Sequence, residues 1–313
     1  MKNYKLLWTG GFDSTFRLCE LSRQKCIVQP VYITSGRDNE VNEIESHRKI
    51  YQMLLRKKVK SKLFPVEYIP YSSIKVLPEI ESAFWKLSDK YPIGTQYYIL
   101  GQYAHDNPGV EVCFEKYCLN VGRPLSALFN YHSILKFNSE NIGYIDKNTS
   151  EKDVYTLFGS YYFPTINRSE MEMYRLFKTW HYEDIMNSVV YCDRKEKEPC
   201  GVCVPCRLKF LNDMAFFLPP KAKKNALIYY ILNKCGLFGN KLKLADIFAD
   251  YIWYPAKTGV IYNNAEEGVK PILQNLYLLF DGLRSSNYKF LEKIYGRNDV
   301  TLKGLLDTFS VKL

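Results

Sequence analysis

The chain has 313 residues, of which 47% are hydrophobic and 24% charged, as expected for one large or two smaller globular domains. This composition excludes disorder, collagen-like repeats and coiled coil as the main architecture. The formal net charge of +10 favours polyanions such as nucleotides, RNA, DNA or acidic protein surfaces as partners. The alternative is that the positive charge forms a solvated basic surface that only keeps the protein soluble.

The apolar stretches are short. The N-terminal stretch Leu6-Leu7-Trp8 is much shorter than the core of a signal peptide, and no run of about 18 apolar residues occurs. We therefore expect a cytoplasmic protein that does not span a membrane.

The first part of the chain alternates strand-like and helix-like segments. The pattern predicts strands over residues 4–8, 27–33, 63–69 and 110–114. It predicts helices over residues 14–22, 41–58 and 97–105. Such alternation predicts an α/β fold with a doubly wound, mostly parallel sheet, in which ligands bind beyond the carboxyl ends of the strands.

The C-terminal part of the sequence has a different pattern. Prolines at 219 and 220 interrupt the chain, and helices without strands are predicted over residues 226–235, 242–251, 270–284 and 289–295. Residues 207–313 contain 16 Lys and Arg against 9 Asp and Glu, a balance of +7. We therefore predict two domains, residues 1–215 and a basic helical extension over residues 216–313.

Residues 6–15 (Leu-Leu-Trp-Thr-Gly-Gly-Phe-Asp-Ser-Thr) form the most informative stretch. Glycines after a strand let the backbone approach an anion, and the amides that open a helix favour phosphate. Asp13 can hold Mg²⁺ or its waters, and Asp13 and Ser14 are the candidate catalytic residues. The alternative is an ordinary turn in which one of these two side chains caps the helix. The predicted nucleotide-binding residues are Thr9, Gly10, Gly11, Phe12, Asp13, Ser14 and Thr15.

Residues 9–14 resemble the Ser-Gly-Gly-x-Asp-Ser loop of the PP-loop ATP pyrophosphatases, and Thr9 keeps the hydroxyl of the first serine. The resemblance implies that this loop holds the β- and γ-phosphates of ATP, with Mg²⁺. It also implies that ATP adenylates an oxygen of the substrate and that pyrophosphate is released.

Four cysteines lie within fifteen residues, in the pattern C-x7-C-x2-C-x2-C. Four thiolates suit tetrahedral Zn²⁺, and they leave no ligand position for water, so the site is expected to be structural rather than catalytic. An iron–sulfur cluster is the alternative. The predicted metal ligands are Cys192, Cys200, Cys203 and Cys206.

The cysteine pattern is similar to the zinc site of the 7-cyano-7-deazaguanine synthases, in which one cysteine precedes a Cys-Gly-x-Cys-x-x-Cys segment. Residues 163–173 are similar to the Pro-Phe-Ile-Asp-Lys-Ser-Lys-Ala-Glu-Ile run of the same family. The resemblance covers residues 3–215. It implies an adenine nucleotide alpha-hydrolase-like fold that uses ATP, Mg²⁺ and Zn²⁺.

The sequence also departs from that family. Residues 91–96 lack the arginine and asparagine of its Val-Pro-x-Arg-Asn segment, and Glu170 replaces the second lysine of its approach run. The family's Tyr-Pro-Asp-Cys segment, which lines the substrate pocket, has no recognisable counterpart near residues 112–117. Divergent relatives occur in antiphage defence operons, and the C-terminal extension fits such a specialised member.

The resemblance implies an ATP-dependent ligase that adenylates a substrate carboxylate and couples it to ammonia or another amine. One alternative is a tRNA-modifying PP-loop thiolase, for which Cys113 and Cys118 are the candidate sulfur carriers. Another is a non-catalytic, nucleotide-binding subunit of a defence complex.

The expected partners are a small-molecule carboxylate, which the resemblance suggests is a 7-deazaguanine, and a protein or nucleic acid bound by the C-terminal extension. A second copy of the chain in a homodimer is a further expectation. The four histidines are isolated in the sequence and are expected at surface or helix-capping positions: His47, His105, His132 and His181.

Overall fold

A computed structural model gives the structure of the chain. It describes residues 1–37, 39–91, 93–116, 125, 128–129, 134–194, 198–238, 242–253 and 270–312. The chain separates into two compact units, Met1–Tyr191 and Cys192–Leu313. This boundary lies earlier than the predicted domain boundary at 215, because the cysteine segment packs within the second unit. There Asn225 Nδ2 donates a hydrogen bond to the carbonyl oxygen of Cys200 at 2.9 Å.

The first unit contains an eight-stranded sheet and seven described α-helices. The strands are β1 (Lys2–Leu7), β2 (Cys26–Thr34), β3 (Lys62–Leu63), β4 (Glu67–Pro70), β5 (Val110–Glu111), β6 (Leu135–Phe137), β7 (Gly143–Ile145) and β8 (Tyr161–Phe163). The helices are α1 (Phe12–Ser22), α2 (Glu40–Arg56), α3 (Pro78–Lys90), α4 (Gln96–Asp106), α5 (Lys152–Phe158), α6 (Glu170–Thr179) and α7 (Glu183–Met186).

The strand order is β3-β2-β1-β5-β8-β7-β6, and β4 also pairs with β2. β1 is parallel to β2 and to β5, β2 is parallel to β3 and β4, and β5 is parallel to β8. Among the described strands of this sheet, β7 is antiparallel to both of its neighbours, β6 and β8. The predicted α/β class and mostly parallel sheet are therefore confirmed.

The predicted third strand, residues 63–69, is divided into β3 and β4. Both pieces pair with β2, and the interruption includes Pro65, whose backbone lacks the N–H that a continuous ladder requires. The sheet packs on an aromatic core that includes Tyr97, Phe158 and Phe163, all of them buried. The rings of Tyr97 and Phe158 meet edge to face at 5.4 Å between centroids.

The second unit is mainly helical. Its helices are α8 (Val204–Leu211), α9 (Pro220–Lys234), α10 (Leu244–Trp253), α11 (Lys270–Ser285), α12 (Tyr288–Tyr295) and α13 (Leu302–Thr308). The expectation of no strands is wrong, because Leu237–Phe238 and Leu242–Lys243 form a short antiparallel pair, β9 and β10. Pro220 starts α9 rather than ending a structure, since a proline at the first helical turn removes no helical hydrogen bond.

The helices of the second unit enclose an apolar core of their own. Phe248 of α10 and Phe280 of α11 are fully buried and meet edge to face at 5.2 Å. In the part of the chain that the structure describes, no helix is long and apolar enough to cross a membrane.

Candidate phosphate loop and metal centre

The glycine loop joins the end of β1 to the start of α1. β1 lies between β2, which follows it in the chain, and β5, which comes later, so the strand order changes direction at β1. In open parallel sheets, ligands bind beyond the carboxyl ends of the strands where the order reverses. The sheet thus places residues 8–11 at the position where this type of fold forms its crevice.

Gly10 has a backbone conformation and surroundings that require glycine. Its φ is +74°, a region that side chains disfavour. A Cβ on Gly10 would lie 3.2 Å from both His47 Cδ2 and Ser46 Oγ. Its carbonyl oxygen accepts hydrogen bonds from Val190 N at 2.9 Å and from Ser46 Oγ at 3.4 Å. The loop therefore packs closely against Ser46 and His47 of α2.

The N-terminus of α1 is not capped by a side chain. Gly11 is the N-cap residue, and its carbonyl accepts the first helical hydrogen bond, from Thr15 N at 3.1 Å. The amides of a first helical turn have no acceptor within their own helix, and the helix dipole is positive there. The alternative, in which Asp13 or Ser14 is the capping residue, is wrong, because Gly11 holds the N-cap position and no side-chain cap hydrogen bond is formed.

The hydroxyl groups of the motif have different surroundings. Thr9 is exposed, and its Oγ1 lies 3.3 Å from Ser14 Oγ and accepts a hydrogen bond from Gly11 N at 3.3 Å. Thr15 is fully buried and accepts a hydrogen bond from Trp8 Nε1 at 2.9 Å. The structure thus brings the hydroxyl groups of Thr9 and Ser14 together. The hydroxyl group of Thr15 is instead buried in the core, where it is hydrogen-bonded to Trp8.

The two remaining motif residues lie in the first turn of α1. Phe12 is buried, and its ring meets that of Phe177 on α6 edge to face at 5.6 Å between centroids. Asp13 is half-buried. Phe12 therefore contributes a packing contact that fixes the helix, and Asp13 is the acidic residue of the loop.

His47 is a residue of this site that sequence reasoning missed. It is fully buried on α2, and its ring lies 4.5 Å from that of Trp8 and 4.8 Å from that of Tyr32. Burial lowers its pKa to about 4, although the nearby backbone of Thr9 and Trp8 acts in the opposite direction. The expected surface position is wrong for His47. No sequence signal marked it, because its burial depends on contacts with Trp8 and with Tyr32 of β2, which are distant in the sequence.

The other histidines agree with the expectation where they are described. His105 and His181 are exposed, and His132 lies outside the described residues. Burial of the imidazole is therefore a feature of His47 alone among these three described histidines.

A buried ion pair joins α1 to β5. Arg17 Nε and Nη2 donate to the two carboxylate oxygens of Glu111 at 2.8 and 2.6 Å. Glu20 accepts from Arg17 Nη1 and from Arg168 Nη1, both at 2.6 Å. These four charges connect the helix of the glycine loop to β5 and to the run before α6.

Cys113 follows β5. Burial raises the pKa of its thiol well above the ordinary value, and the negative charges of Glu111 and Asp13 act in the same direction. The thiol is therefore protonated and weakly nucleophilic at neutral pH. Cys118, the other candidate sulfur carrier, lies outside the described residues.

The four predicted ligands Cys192, Cys200, Cys203 and Cys206 come together in the second unit. All four are buried, and their sulfur atoms lie within 4.8 Å of one another. Sulfurs bound at about 2.3 Å to a tetrahedral Zn²⁺ would be about 3.8 Å apart. The Sγ atoms of Cys203 and Cys192 are 3.9 Å apart, so the cluster fits such an ion.

Backbone amides point at the sulfurs. Cys200 Sγ accepts hydrogen bonds from Val202 N at 3.4 Å and from Cys203 N at 3.3 Å, and Cys192 Sγ accepts from Cys200 N at 3.4 Å. Bonds of this kind favour the thiolate form, which is the form that binds metals.

Gly201 makes the sharp turn between the second and third cysteines. Its φ is +85°, and a Cβ there would lie 2.1 Å from the carbonyl oxygen of Ala222. This turn therefore requires glycine, because any side chain would clash with the backbone of α9, against which the cysteine segment packs.

No family model, curated protein or solved structure compared with the chain matches it. The chemistry assigned to the two sites therefore depends on their own residues: a glycine loop at the end of β1, and four thiols arranged around a common centre.

Proposed function

We propose that residues 9–15 bind the phosphates of ATP and that the protein is an ATP-dependent ligase of the PP-loop type. The geometry of the loop supports this proposal. Gly10 at positive φ, the uncapped start of α1 and the neighbouring hydroxyls of Thr9 and Ser14 together form an arrangement suited to a polyphosphate. The doubly wound arrangement of helices on both faces of the sheet belongs to the same proposal.

In the proposed reaction, a carboxylate oxygen of the substrate attacks the α-phosphorus of ATP. The bond between the α-phosphorus and the bridging oxygen breaks, and pyrophosphate leaves. Ammonia or another amine then attacks the carbonyl carbon and displaces AMP, with loss of one proton to solvent. The substrate proposed from the sequence is a 7-deazaguanine carboxylate or a related acid.

The loop residues have separate roles in this scheme. Backbone amides at the start of α1, with the hydroxyls of Thr9 and Ser14, would hold the two phosphates that leave. Asp13 would hold Mg²⁺ near them, and a bound Mg²⁺ supplies positive charge to the departing pyrophosphate. The four cysteines would bind a structural Zn²⁺ in the second unit.

A thiolase that uses Cys113 as its sulfur carrier is disfavoured, because burial raises the pKa of this thiol. The third possibility is a nucleotide-binding protein without turnover. Glu170 favours it, since a buried carboxyl stands where the resembled family has a lysine. The alternatives differ in whether pyrophosphate is released and in which second substrate is required.

The experiment measures pyrophosphate released from ATP by the purified chain, with 7-carboxy-7-deazaguanine and ammonia, other carboxylates and amines, or tRNA. Release that depends on a carboxylate supports the ligase, and release that depends on tRNA supports the thiolase. ATP binding without release identifies the non-catalytic protein. The absence of ATP binding would show that the loop is not a phosphate site.

Variants of the glycine loop, each with a matched control, test whether the release of pyrophosphate depends on this loop. Gly11→Val places a side chain 3.1 Å or less from Thr9 Oγ1, and Asp13→Ala removes the carboxylate. Both should fold and lose ATP-dependent release. Gly94→Val, at an exposed glycine with no atom nearer than 3.7 Å, and Asp89→Ala on the exposed face of α3 are the controls.

A further inference from the structure

One segment of the first unit concentrates positive charge. Residues 48–66 contain seven Lys and Arg and no Asp or Glu, whereas the rest of residues 1–191 contains 17 Lys and Arg and 21 Asp and Glu. The segment covers the second half of α2, the strand β3 and the chain on either side of β3. A local excess of this size produces a positive potential that attracts polyanions.

Most of these charges have no acidic partner within the protein. Lys57 forms an ion pair with Asp184 at 3.0 Å, and its ammonium lies over the ring of Tyr182. The other six basic residues are exposed, and none of them forms an ion pair with a described residue: Arg48, Lys49, Arg56, Lys58, Lys60 and Lys62. Their charges are therefore available to a ligand.

One side of α2 and the edge of the sheet form a continuous surface. Arg48, Tyr51 and Leu55 are three and four residues apart and share one side of the helix. The hydroxyl of Tyr51 donates to the carbonyl oxygen of Leu63 at 3.3 Å, so this side faces β3, the last strand in the sheet order. Burial raises the pKa of Tyr68 on β4, and the charge of Arg48 opposes this shift, which places the two side chains close together.

Two aromatic rings are exposed on the same edge. Phe64, which follows β3, is 37% exposed, and Tyr68 is 41% exposed. The ammonium of Lys62 lies 4.9 Å from the centre of the Phe64 ring. Cations beside exposed rings suit single-stranded nucleic acid, because phosphates pair with the cations and unpaired bases stack on the rings. An acidic protein surface would need only the cations.

We propose that this edge of the first unit binds single-stranded nucleic acid. The binding surface, which we call the edge surface, consists of Arg48, Lys58, Lys60, Lys62, Phe64 and Tyr68. Tyr68 Oη lies 3.5 Å from Nδ1 of His47, which packs against Gly10, so the edge surface reaches the residues beneath the glycine loop. The inference uses no property of the loop and does not depend on the proposed function.

The first test measures the affinity of the full chain for a fluorescently labelled oligothymidylate by anisotropy over a series of salt concentrations. Each phosphate contact with a single strand contributes about 0.7 to the slope of log K against log salt. The triple variant Lys58→Gln/Lys60→Gln/Lys62→Gln should therefore lower the magnitude of that slope by about 2. These lysines are exposed, so the variant should keep the circular dichroism spectrum of the wild type.

The control removes the same charge from exposed positions elsewhere in the first unit. Lys136→Gln/Lys147→Gln/Lys152→Gln should leave the slope unchanged. Equal slopes for the two triple variants would overturn the proposal, because binding would then depend on overall charge or on the basic residues of the second unit.

The second test concerns the rings. Phe64→Ala should weaken binding about fivefold or more, the smallest loss expected for one stacked base, and should leave the salt slope unchanged. Phe137→Ala is the control, since Phe137 is 44% exposed on β6 at the opposite edge of the sheet, and its affinity should equal that of the wild type. An affinity of Phe64→Ala equal to that of Phe137→Ala would overturn base stacking on this edge.

Competition identifies the class of partner. A DNA duplex of the same length and polyglutamate should both displace the labelled oligothymidylate less well than unlabelled oligothymidylate does, because neither offers unstacked bases. Equal competition by polyglutamate would identify a surface for acidic proteins, and equal competition by the duplex would show that bases are not read. Either result, or no binding of oligothymidylate at low salt, would overturn the proposal and leave the proposed function of the glycine loop untouched.

Discussion

Arg17 on helix α1 and Glu111 on strand β5 form a two-point ion pair whose side chains are only 7% and 1% exposed. A pair so deeply buried is costly to desolvate, and the removal of one partner leaves the other charge without compensation. The pair therefore fixes the orientation of the loop's helix relative to the sheet, and it makes this connection sensitive to mutation.

The first prediction concerns this pair. Arg17→Met should lower the free energy of unfolding by about 3–5 kcal/mol, because the carboxylate of Glu111 stays buried without its partner. The double variant Arg17→Met/Glu111→Leu should recover part of that loss. Urea unfolding measures both. Arg297→Met, in an exposed pair with Asp299, is the control and should leave stability unchanged. A double variant less stable than both single variants would contradict this account.

The local parts of this site could be predicted from the sequence, and the contacts between distant residues could not. Residues 6–15 carry their own strand ending, glycine turn and helix start; the strand ends one residue earlier than predicted, at Leu7, and the helix begins two residues earlier, at Phe12. Arg17 and Glu111 are 94 residues apart, and β5 has only two residues, too few for a periodic pattern. The cysteines were predictable because their spacing alone brings four sulfurs together.

The role of the basic residues could not be predicted from composition either. Lys224 Nζ donates to the carbonyl oxygen of Ser286, just after α11 ends, and Lys234 Nζ donates to that of Tyr295 at the end of α12. Part of the positive charge of the second unit therefore neutralises helix ends. Lys241, another basic residue of the C-terminal extension, lies outside the described residues. A macromolecular partner for this unit stays a prediction.

The second prediction compares two lysines. Lys234→Met should lower the melting temperature of the second unit, because the C-terminal carbonyl oxygens of α12 lose a donor and a positive charge, a contribution of about 0.3–1 kcal/mol. Lys221→Met, at an exposed position in the first turn of α9, should not lower it, since a positive charge there is unfavourable for the helix dipole. Thermal unfolding followed by circular dichroism measures both. Equal effects of the two variants would argue against helix capping by Lys234.

The third prediction concerns glycine at the loop. Gly10 and Gly36 have nearly the same positive φ, +74° and +73°, but only Gly10 is crowded. Gly36→Ala should cost about 1 kcal/mol of stability through backbone strain alone. Gly10→Ala should cost clearly more, because the new Cβ meets His47 and Ser46 at 3.2 Å. Equal costs in chemical unfolding would show that the loop does not rest on α2.

The fourth prediction concerns the metal. Elemental analysis should find one zinc per chain, and Cys203→Ser should remove it and lower the melting temperature of the second unit, because one of four thiolate ligands is lost. Cys235→Ser, at a half-buried cysteine outside the cluster, should keep the zinc. Zinc should also be released as the pH falls, since protons compete for the thiolates. A well-folded chain without metal would contradict the assignment.

The fifth prediction uses the buried imidazole of His47. Its pKa is about 4 in the folded chain against an ordinary 6.5, so between these values the unfolded chain takes up a proton that the folded chain does not. The free energy of unfolding should therefore fall by about 3 kcal/mol as the pH drops from 6.5 to 4. His47→Gln cannot take up this proton, so the stability difference between wild type and variant should shrink by that amount over the same range. His105→Gln, at an exposed histidine, is the control for the loss of a histidine that is not buried. A difference between wild type and His47→Gln that does not change from pH 6.5 to pH 4 would show that His47 is not held neutral beneath the loop.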